Sequence, residues 1–297
     1  MDKPKFIMMC GLVASGKSTK AKELAEKYNA KIFSSDELRK EMFEDINDQE
    51  HNQEVFVELH KRIKDCLHNG ESAIMDATNI NYKRRMAFLA ELKNIPCEKI
   101  CVLMATPYPV CIRRNKVRER QVPVNVIHRM YSNFNCPYWF EGWDNIIVEY
   151  SGYEKYFGNP MQFYLDYKDY DQGNSHHTLT LGEHCHQVSL RVGYDMTLVY
   201  AGMLHDCGKP VCATHINKNG EYDEDCHYYD HQHCGSYISL FYDYGNINPL
   251  DVAILIQWHM QPYFNKEEKT RNKYRRLWGE ELYQKIMKIH EADRAAK

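Results

Sequence analysis

What this chain lacks narrows it first. No stretch of its 297 residues approaches the roughly 20 consecutive apolar positions that a membrane helix needs. The opening, Met1-Asp2-Lys3-Pro4, runs almost at once into an apolar segment, leaving no room for a secretory leader, so a cytoplasmic location is expected. Eleven cysteines are present without a single C-x-x-C pair, several inside apolar, strand-like runs; reduced core thiols are expected, not a disulfide framework. A strong charge of either sign is also missing. The formal balance is -3, with 43% hydrophobic and 27% charged residues, which describes a soluble globular protein and does not announce a nucleic-acid binder.

The distribution says more than the totals. Residues 1–150 hold 23 Lys+Arg against 21 Asp+Glu, a balance of +2, while the remainder holds 15 against 20, a balance of -5. Eleven of the 15 histidines lie after residue 150. Two domains with different chemistry are expected, the second metal-dependent. Any nucleic-acid contact needs a local basic patch, and Arg113 to Arg120 is the best candidate.

The chain is organised around Gly11-Leu12-Val13-Ala14-Ser15-Gly16-Lys17-Ser18, with Thr19 behind it. It fits G-x-x-x-x-G-K-[ST], whose glycines let successive backbone N–H groups converge on one phosphate. Lys17 is expected to reach the β- and γ-phosphates of ATP, and the Ser18 hydroxyl to ligate Mg²⁺. The context agrees: Lys5 to Cys10 reads as a buried strand and Ser18 to Tyr28 as a helix with one apolar face. Further strands are expected at Ala30–Ser34, Ser72–Asp76, Cys97–Met104 and Asn145–Tyr150. Asp36, just past the second, is placed to act as general base on an acceptor hydroxyl or, equally, to cap a helix. Asp76, at the tip of the third, is placed to hold the magnesium shell directly or through water. Arg114 and Arg118, four apart and expected on one helical face, read either as a lid over the transferring phosphate or as a solvated basic face, the lid being preferred.

These motifs, with Ser35-Asp36-x-x-Arg39, Asp76-Ala77-Thr78-Asn79, Val122-Pro123 and Glu141-Gly142-Trp143-Asp144, follow the order seen in bacteriophage and bacterial polynucleotide 5′-kinases. The likeness covers residues 1–152. It implies an α/β P-loop kinase domain with a mostly parallel sheet. Gly11, Ala14, Ser15, Gly16, Lys17, Ser18, Thr19 and Asp76 would be its nucleotide and metal residues. Asp36 would act on a 5′-hydroxyl, Arg39 would contact the acceptor strand's phosphate, and Arg114 with Arg118 would form the lid.

Residues 153–174, rich in Tyr, Asp and Gly, read as a connector, and 175–297 as a second domain. Its central feature is Leu204-His205-Asp206-Cys207-Gly208-Lys209 in an apolar, helical run. Burying an adjacent imidazole and carboxylate is costly unless a divalent metal compensates. His184, His231, His259 and Asp293 are further candidate ligands, and nitrogen with carboxylate donors suits Mn, Fe, Co, Ni or Zn better than Mg alone. His176, His177, His186, His215, His227 and His233 are not expected to be ligands. This half resembles the HD phosphohydrolase superfamily, especially the HD domain accompanying tRNA nucleotidyltransferases, through His177 to His184, Leu204 to Pro210, Asp230-His231-x-x-Cys234-Gly235 and Glu291-Ala292-Asp293. The resemblance implies an all-α HD domain. It assigns a first metal to His184, His205, Asp206 and Asp293, a second to His231 and His259, and a phosphate grip to Lys209.

A polynucleotide kinase joined to a phosphohydrolase resembles the end-healing enzymes of RNA repair, although in known kinase–HD fusions the HD module comes first. The expected partners are RNA or DNA strand ends and an RNA ligase acting downstream, with no membrane. Two rival expectations stand beside this one: a small-molecule kinase with a nucleotide-directed HD domain, and an ATP-sensing regulator whose HD site is a remnant.

Overall fold

A computed structural model of the chain describes residues 3–48, 50–152, 157–175, 178–264 and 267–296. It divides into two compact units, residues 1–127 with 137–153, and residues 128–136 with 154–297.

The first unit alternates strands and helices: β1 (Lys5–Cys10), α1 (Lys17–Tyr28), β2 (Ala30–Ser34), α2 (Ser35–Phe43), α3 (Asn52–His68), β3 (Ser72–Asp76), α4 (Tyr82–Glu91), β4 (Glu98–Ala105), α5 (Tyr108–Lys116), the start of α6 (Val124–Ser132) and β5 (Asn145–Tyr150). The sheet order is β2-β3-β1-β4-β5 and every pairing is parallel. Parallel sheets are covered by helices on both faces, which is why β1 is buried continuously from Phe6 to Cys10 and not in alternation. Ala21 and Leu24 of α1, three apart, pack on Ile7, Met9, Ile74, Ile100, Val102 and Met104. The register sets Ser34 beside Asp76. The loop after β1, Asp76 and the start of α2 therefore gather at the carboxyl edge of the sheet, where open α/β folds bind ligands.

The second unit contains the rest of α6, then α7 (Met161–Tyr167), α8 (Leu181–Arg191), α9 (Met196–Leu204), α10 (Lys209–Cys212), β6 (Thr214–Ile216), β7 (Tyr222–His227), α11 (His231–Ser239), α12 (Pro249–Trp258), α13 (Gln261–Phe264), α14 (Glu268–Trp278) and α15 (Glu280–Ala295). In α12 the run Val252–Trp258 is wholly buried, as expected of a helix apolar on all sides. Residues 128–136 join this unit. Tyr131 and Phe134 pack edge-on to Tyr237, with ring centroids 5.7 and 4.7 Å apart, and the Cys136 amide donates to Gln257 Oε1 at 2.7 Å.

Two expectations are corrected here. The second unit is not all-α, since β6 and β7 form an antiparallel hairpin. Its polar strands lack hydrophobic alternation, but the turn Asn217-Lys218-Asn219-Gly220 carries the signal, with the Gly220 amide donating to Asn217 O. The expected connector also contains α7 and buries Phe163 and Gln172, each 1% exposed. His176 and His177 lie outside the described residues. All eleven cysteines are free thiols, nine of them buried, and no described helix is long and apolar enough to cross a membrane.

Candidate functional sites

The loop after β1 is shaped by backbone that few residues adopt. Gly16 caps α1 at φ 99° and Ala14 stands at φ 60°, both left-handed, a region open to glycine and costly for alanine. The Gly11 amide donates to Thr78 O and the Thr106 hydroxyl to Ser15 O, fixing both ends of the loop. Ser15 Oγ is buried without a hydrogen-bond partner, an orphan that an anion seated in the loop would satisfy. Lys17 donates to the carbonyls of Leu12 (2.7 Å) and Gly11 (3.2 Å). Burial lowers its pKa, and the carboxylate of Asp76 works against that shift. Ser18 and Thr19 are exposed on the first turn of α1.

Asp36 is not the helix cap, because the Ser34 side chain accepts from the Glu37 amide and fills that role. Both Asp36 oxygens are held by guanidinium groups: Oδ1 by Arg39 at 2.9 Å and Oδ2 by Arg120 at 2.7 Å. Arg39 is buried and also donates to Asn52 Oδ1; its Nε has no partner. Arg120 reaches in from the segment after α5 and donates to Asn47 as well. Arg114 donates to Ser151 Oγ at 3.1 Å. Arg118 does not share its helical face, which corrects the expectation: α5 ends at Lys116. The reason is Asn115, whose side chain accepts from the Val122 amide and donates to the Val122 carbonyl, folding residues 116–122 back on themselves. Arg118 lies exposed on that fold, near enough to Lys17 to oppose its charge. Arg120 had no individual role in the sequence reading; its place in a basic run gave no sign of which arginine turns inward.

Behind the loop lies a buried buttress. Arg85 donates through Nε and Nη2 to Glu141 at 2.7 and 2.6 Å. Glu141 also accepts from Trp143 Nε1 and the Tyr138 amide. The remaining fork of Arg85 donates to Asn79 O, while Asn79 Nδ2 donates to Met9 O. The turn carrying Asp76 is thereby tied to β1 beside the loop.

In the second unit, six residues from five places in the chain meet. His184 stands on α8, His205 and Asp206 at the end of α9, His231 at the start of α11, His259 at the end of α12 and Asp293 on α15. Each histidine directs Nδ1 at a backbone carbonyl: His184 at Ala296, His205 at Gly202, His231 at Tyr228 and His259 at Ile256, all within 2.9 Å. That fixes all four Nε2 atoms inward, the arrangement by which backbone acceptors orient metal-binding imidazoles. Nε2 of His184 and His205 are 3.2 Å apart, and those of His231 and His259 are 3.3 Å apart. Asp206 divides its oxygens between the pairs. Oδ2 faces His205 at 3.3 Å and His184 at 3.6 Å, while Oδ1 faces His231 at 3.1 Å and His259 at 3.7 Å. Asp293 Oδ1 closes the first group, 3.2 Å from His184 Nε2.

A cation seated between them would offset the lone pairs that face one another in this buried cluster. The donors form two groups sharing Asp206, namely His184/His205/Asp206 and Asp206/His231/His259; nitrogen with carboxylate oxygen suits a divalent transition metal. Burial disfavours a charged His205, yet the Asp206 carboxylate holds its pKa well above the ordinary value. Burial and the neighbouring His205 and His231 push His259 down to about 3. Three surrounding residues were absent from the sequence reading or unassigned in it. Tyr263 donates to Asp293 Oδ2 at 2.9 Å, Gln172 Oε1 accepts from Lys209 Nζ at 2.6 Å, and Cys185 touches His205. No spacing rule marks them. Lys209 also pairs with Asp206 Oδ2 at 2.7 Å.

Comparison with known proteins bears on the first unit. Residues 6–137 match the AAA domain family. Over 143 residues the chain is 28% identical to the L-seryl-tRNA(Sec) kinase of Methanococcus maripaludis, covering 47% of this chain and 56% of the relative; the chain thus spans little more than half the relative's length. A sugar kinase from Janibacter sp. superposes with a TM-score of 0.39 at 16% identity, covering 50% of this chain and 85% of that one. A chain of the Pnkp1/Rnl/Hen1 RNA repair complex does so with a TM-score of 0.39 at 17% identity, covering 45% and 44%. The AAA-domain match falls on the stretch that carries the phosphate-binding loop Gly11–Ser18, a loop that implies a nucleoside triphosphate such as ATP with Mg²⁺.

Proposed function

We propose that the chain heals nucleic-acid ends, phosphorylating a 5′-hydroxyl with ATP in the first unit and removing a 3′-phosphate or opening a 2′,3′-cyclic phosphate in the second. The reading is carried by one observation: each unit gathers its own set of phosphate-handling groups, the P-loop with Asp36 in one and the buried histidine–aspartate cluster in the other.

In the first unit a triphosphate in the loop draws Lys17 off the carbonyls of Gly11 and Leu12. Mg²⁺ would be held by Ser18 and, directly or through water, by Asp76. Asp36 accepts the proton of the attacking hydroxyl once one guanidinium releases its oxygen. Arg39, buried and anchored to Asn52, keeps the carboxylate in place, so the more exposed Arg120 is the one that lets go. Arg114 and Arg118 offset charge on the transferred phosphoryl group. In the second unit His184, His205, Asp206 and Asp293 would hold one divalent transition metal, and Asp206, His231 and His259 another, which would supply Lewis acidity toward the phosphate ester and water. Lys209 compensates Asp206 and grips a substrate phosphate when it gives up Gln172. The healed ends would pass to an RNA ligase.

One observation favours a second reading. The relative named for L-seryl-tRNA(Sec) suggests an acceptor hydroxyl on a group carried by an RNA, or on a small molecule of that kind, in place of a strand end.

The test is a short RNA with a 5′-hydroxyl and a 3′-phosphate, incubated with ATP, Mg²⁺ and Mn²⁺ and scored at both ends. Loss of 5′ labelling only in Lys17→Ala, and of 3′ removal only in Asp206→Ala, is the expected result. Unchanged ends, with turnover of aminoacylated RNA or free alcohols, would replace the healing reading by the second.

A further inference from the structure

The outer face of α14 has no part in either site described so far. From Lys269 to Arg276 the helix reads Lys-Thr-Arg-Asn-Lys-Tyr-Arg-Arg, five basic residues in eight and no acid. These five are a third of the 15 Lys+Arg after residue 150, in a half whose balance is -5. Helical geometry explains the sorting. Tyr274, Leu277 and Trp278 turn inward, and Tyr274 and Trp278 pack on Trp258 at 5.9 and 5.1 Å between ring centroids. All five basic side chains are exposed. Lys269, Lys273 and Arg276 follow one another at i, i+4 and i+7 on a single stripe; among the described residues none of the three makes an ion pair, whereas Arg275 pairs with Glu280. A row of like charges repels itself and gains from a polyanion laid along it.

Its position gives the row a purpose. Trp258, on which α14 packs, immediately precedes His259 of the metal-ligand cluster. At the end of α13, Tyr263 holds Asp293 and stacks edge-on with His290 at 4.3 Å. Arg271 and Arg294 both lie within electrostatic reach of that His290. Phe264, next to Tyr263 and four residues before α14 begins, is 66% exposed. Basic side chains on phosphates and an exposed ring under a base are how proteins hold a single strand.

We propose that the outer face of α14, with Phe264 at its approach, is a track for a single nucleic-acid strand leading to the histidine–aspartate cluster. The track deepens the hydrolase half of the proposed function and rests on it for its purpose, though strand binding is measurable without catalysis. The stripe from Lys269 to Arg276 spans roughly 10 Å at about 1.5 Å per residue, enough to neutralise two or three phosphates in the manner that makes such binding salt-dependent.

The experiment uses the full chain and a fluorescent 12-nucleotide RNA phosphorylated at both ends, so that the kinase acceptor site is not engaged. Binding is titrated across a salt series for the wild type, for Lys269→Ala/Lys273→Ala/Arg276→Ala and for Phe264→Ala. Hydrolysis of bis(p-nitrophenyl) phosphate, too small to reach the helix, is followed in parallel. The triple variant is expected to bind about tenfold more weakly and to flatten the slope of log K against log salt by about 2. Phe264→Ala should lose about fivefold or more with the slope unchanged. Turnover of the small ester stays at the wild-type rate, showing that the variants are folded. Unchanged affinity and slope in the triple variant would overturn the track. So would binding of anionic phosphatidylserine vesicles that the triple substitution abolishes while RNA binding persists, which would make the face a membrane contact. Absence of small-ester hydrolysis in every protein, with the RNA results as expected, would sink the hydrolase reading and leave the binding surface standing.

Discussion

Replacing Glu141 by glutamine keeps the shape of the buttress behind the P-loop and removes one charge. The effect follows from the surroundings, since the side chains of Arg85 and Glu141 are 1% and 0% exposed. Although burial works against its charge, Glu141 holds Arg85 firmly protonated; in Glu141→Gln the guanidinium is left buried among neutral acceptors. Breaking such a pair from one side costs about 3–5 kcal/mol. Arg85→Met abandons a carboxylate instead, but that carboxylate keeps the Trp143 and Tyr138 donors, so its defect should be the smaller of the two. Arg85→Met/Glu141→Leu should return to within about 2 kcal/mol of wild type, yet with weakened ATP binding, since Asn79 loses its tie to Arg85. A chain of two units does not license one global unfolding energy, so the readout is hydrogen exchange at the amides of β1 and β4, in which about 1.4 kcal/mol is a tenfold change in protection. Costs below about 1 kcal/mol for both single variants, the level of an exposed pair, would show that the Arg85–Glu141 pair carries no buried-charge penalty.

Other expectations follow from the two sites. Asp36→Asn should lower the rate of phosphoryl transfer by about 10²–10⁴, the usual worth of a general base, with ATP affinity by calorimetry unchanged; a wild-type rate would reduce Asp36 to an anchor for Arg120. At Gly208 an added Cβ would lie 2.0 Å from His231 O, so Gly208→Ala should displace α11 and weaken Mn²⁺ binding by at least about tenfold. Gly235→Ala, whose nearest obstacle is 3.1 Å away, should be far milder, and equal losses in the two would show that the contact is irrelevant. Chelation should lower the melting temperature of the second unit, with Mn²⁺ restoring it; saturation at 100 times Kd is worth about 2.7 kcal/mol, and a melt indifferent to chelator would argue against a resident metal.

Much of the first unit was legible because its strands are short, apolar and bounded by turn residues; β1, β2, β3 and β5 run between the expected residues. Function was legible where chemistry imposes local spacing, as in the loop from Gly11 to Ser18 and the adjacent His205 and Asp206. What stayed hidden depends on chain folding over long separations. Nothing near Arg120 says that it, and not Arg118, turns back to Asp36, because the cause is Asn115 breaking the helix. Gln172 lay in a stretch read as linker, and Tyr263 in an unremarked polar segment, yet Tyr263 binds Asp293 of the buried cluster and Gln172 binds Lys209, the partner of Asp206. The basic face of α14 was diluted by the acidic balance of its half, and the α6 region gave no sign of leaving the unit in which it began.

That excursion of residues 128–136 bears on where the chain can be divided. Fused domains are usually pictured as beads that recombination can part at a linker. Here a cut at residue 152 would strip Tyr131, Phe134 and Cys136 from their neighbours Tyr237 and Gln257, leaving a kinase fragment with orphaned apolar groups and a second fragment with a hole at its heart. The border between the two units therefore falls not at one peptide bond but at three, after residues 127, 136 and 153, and a fragment meant to keep its own neighbours has to respect all of them.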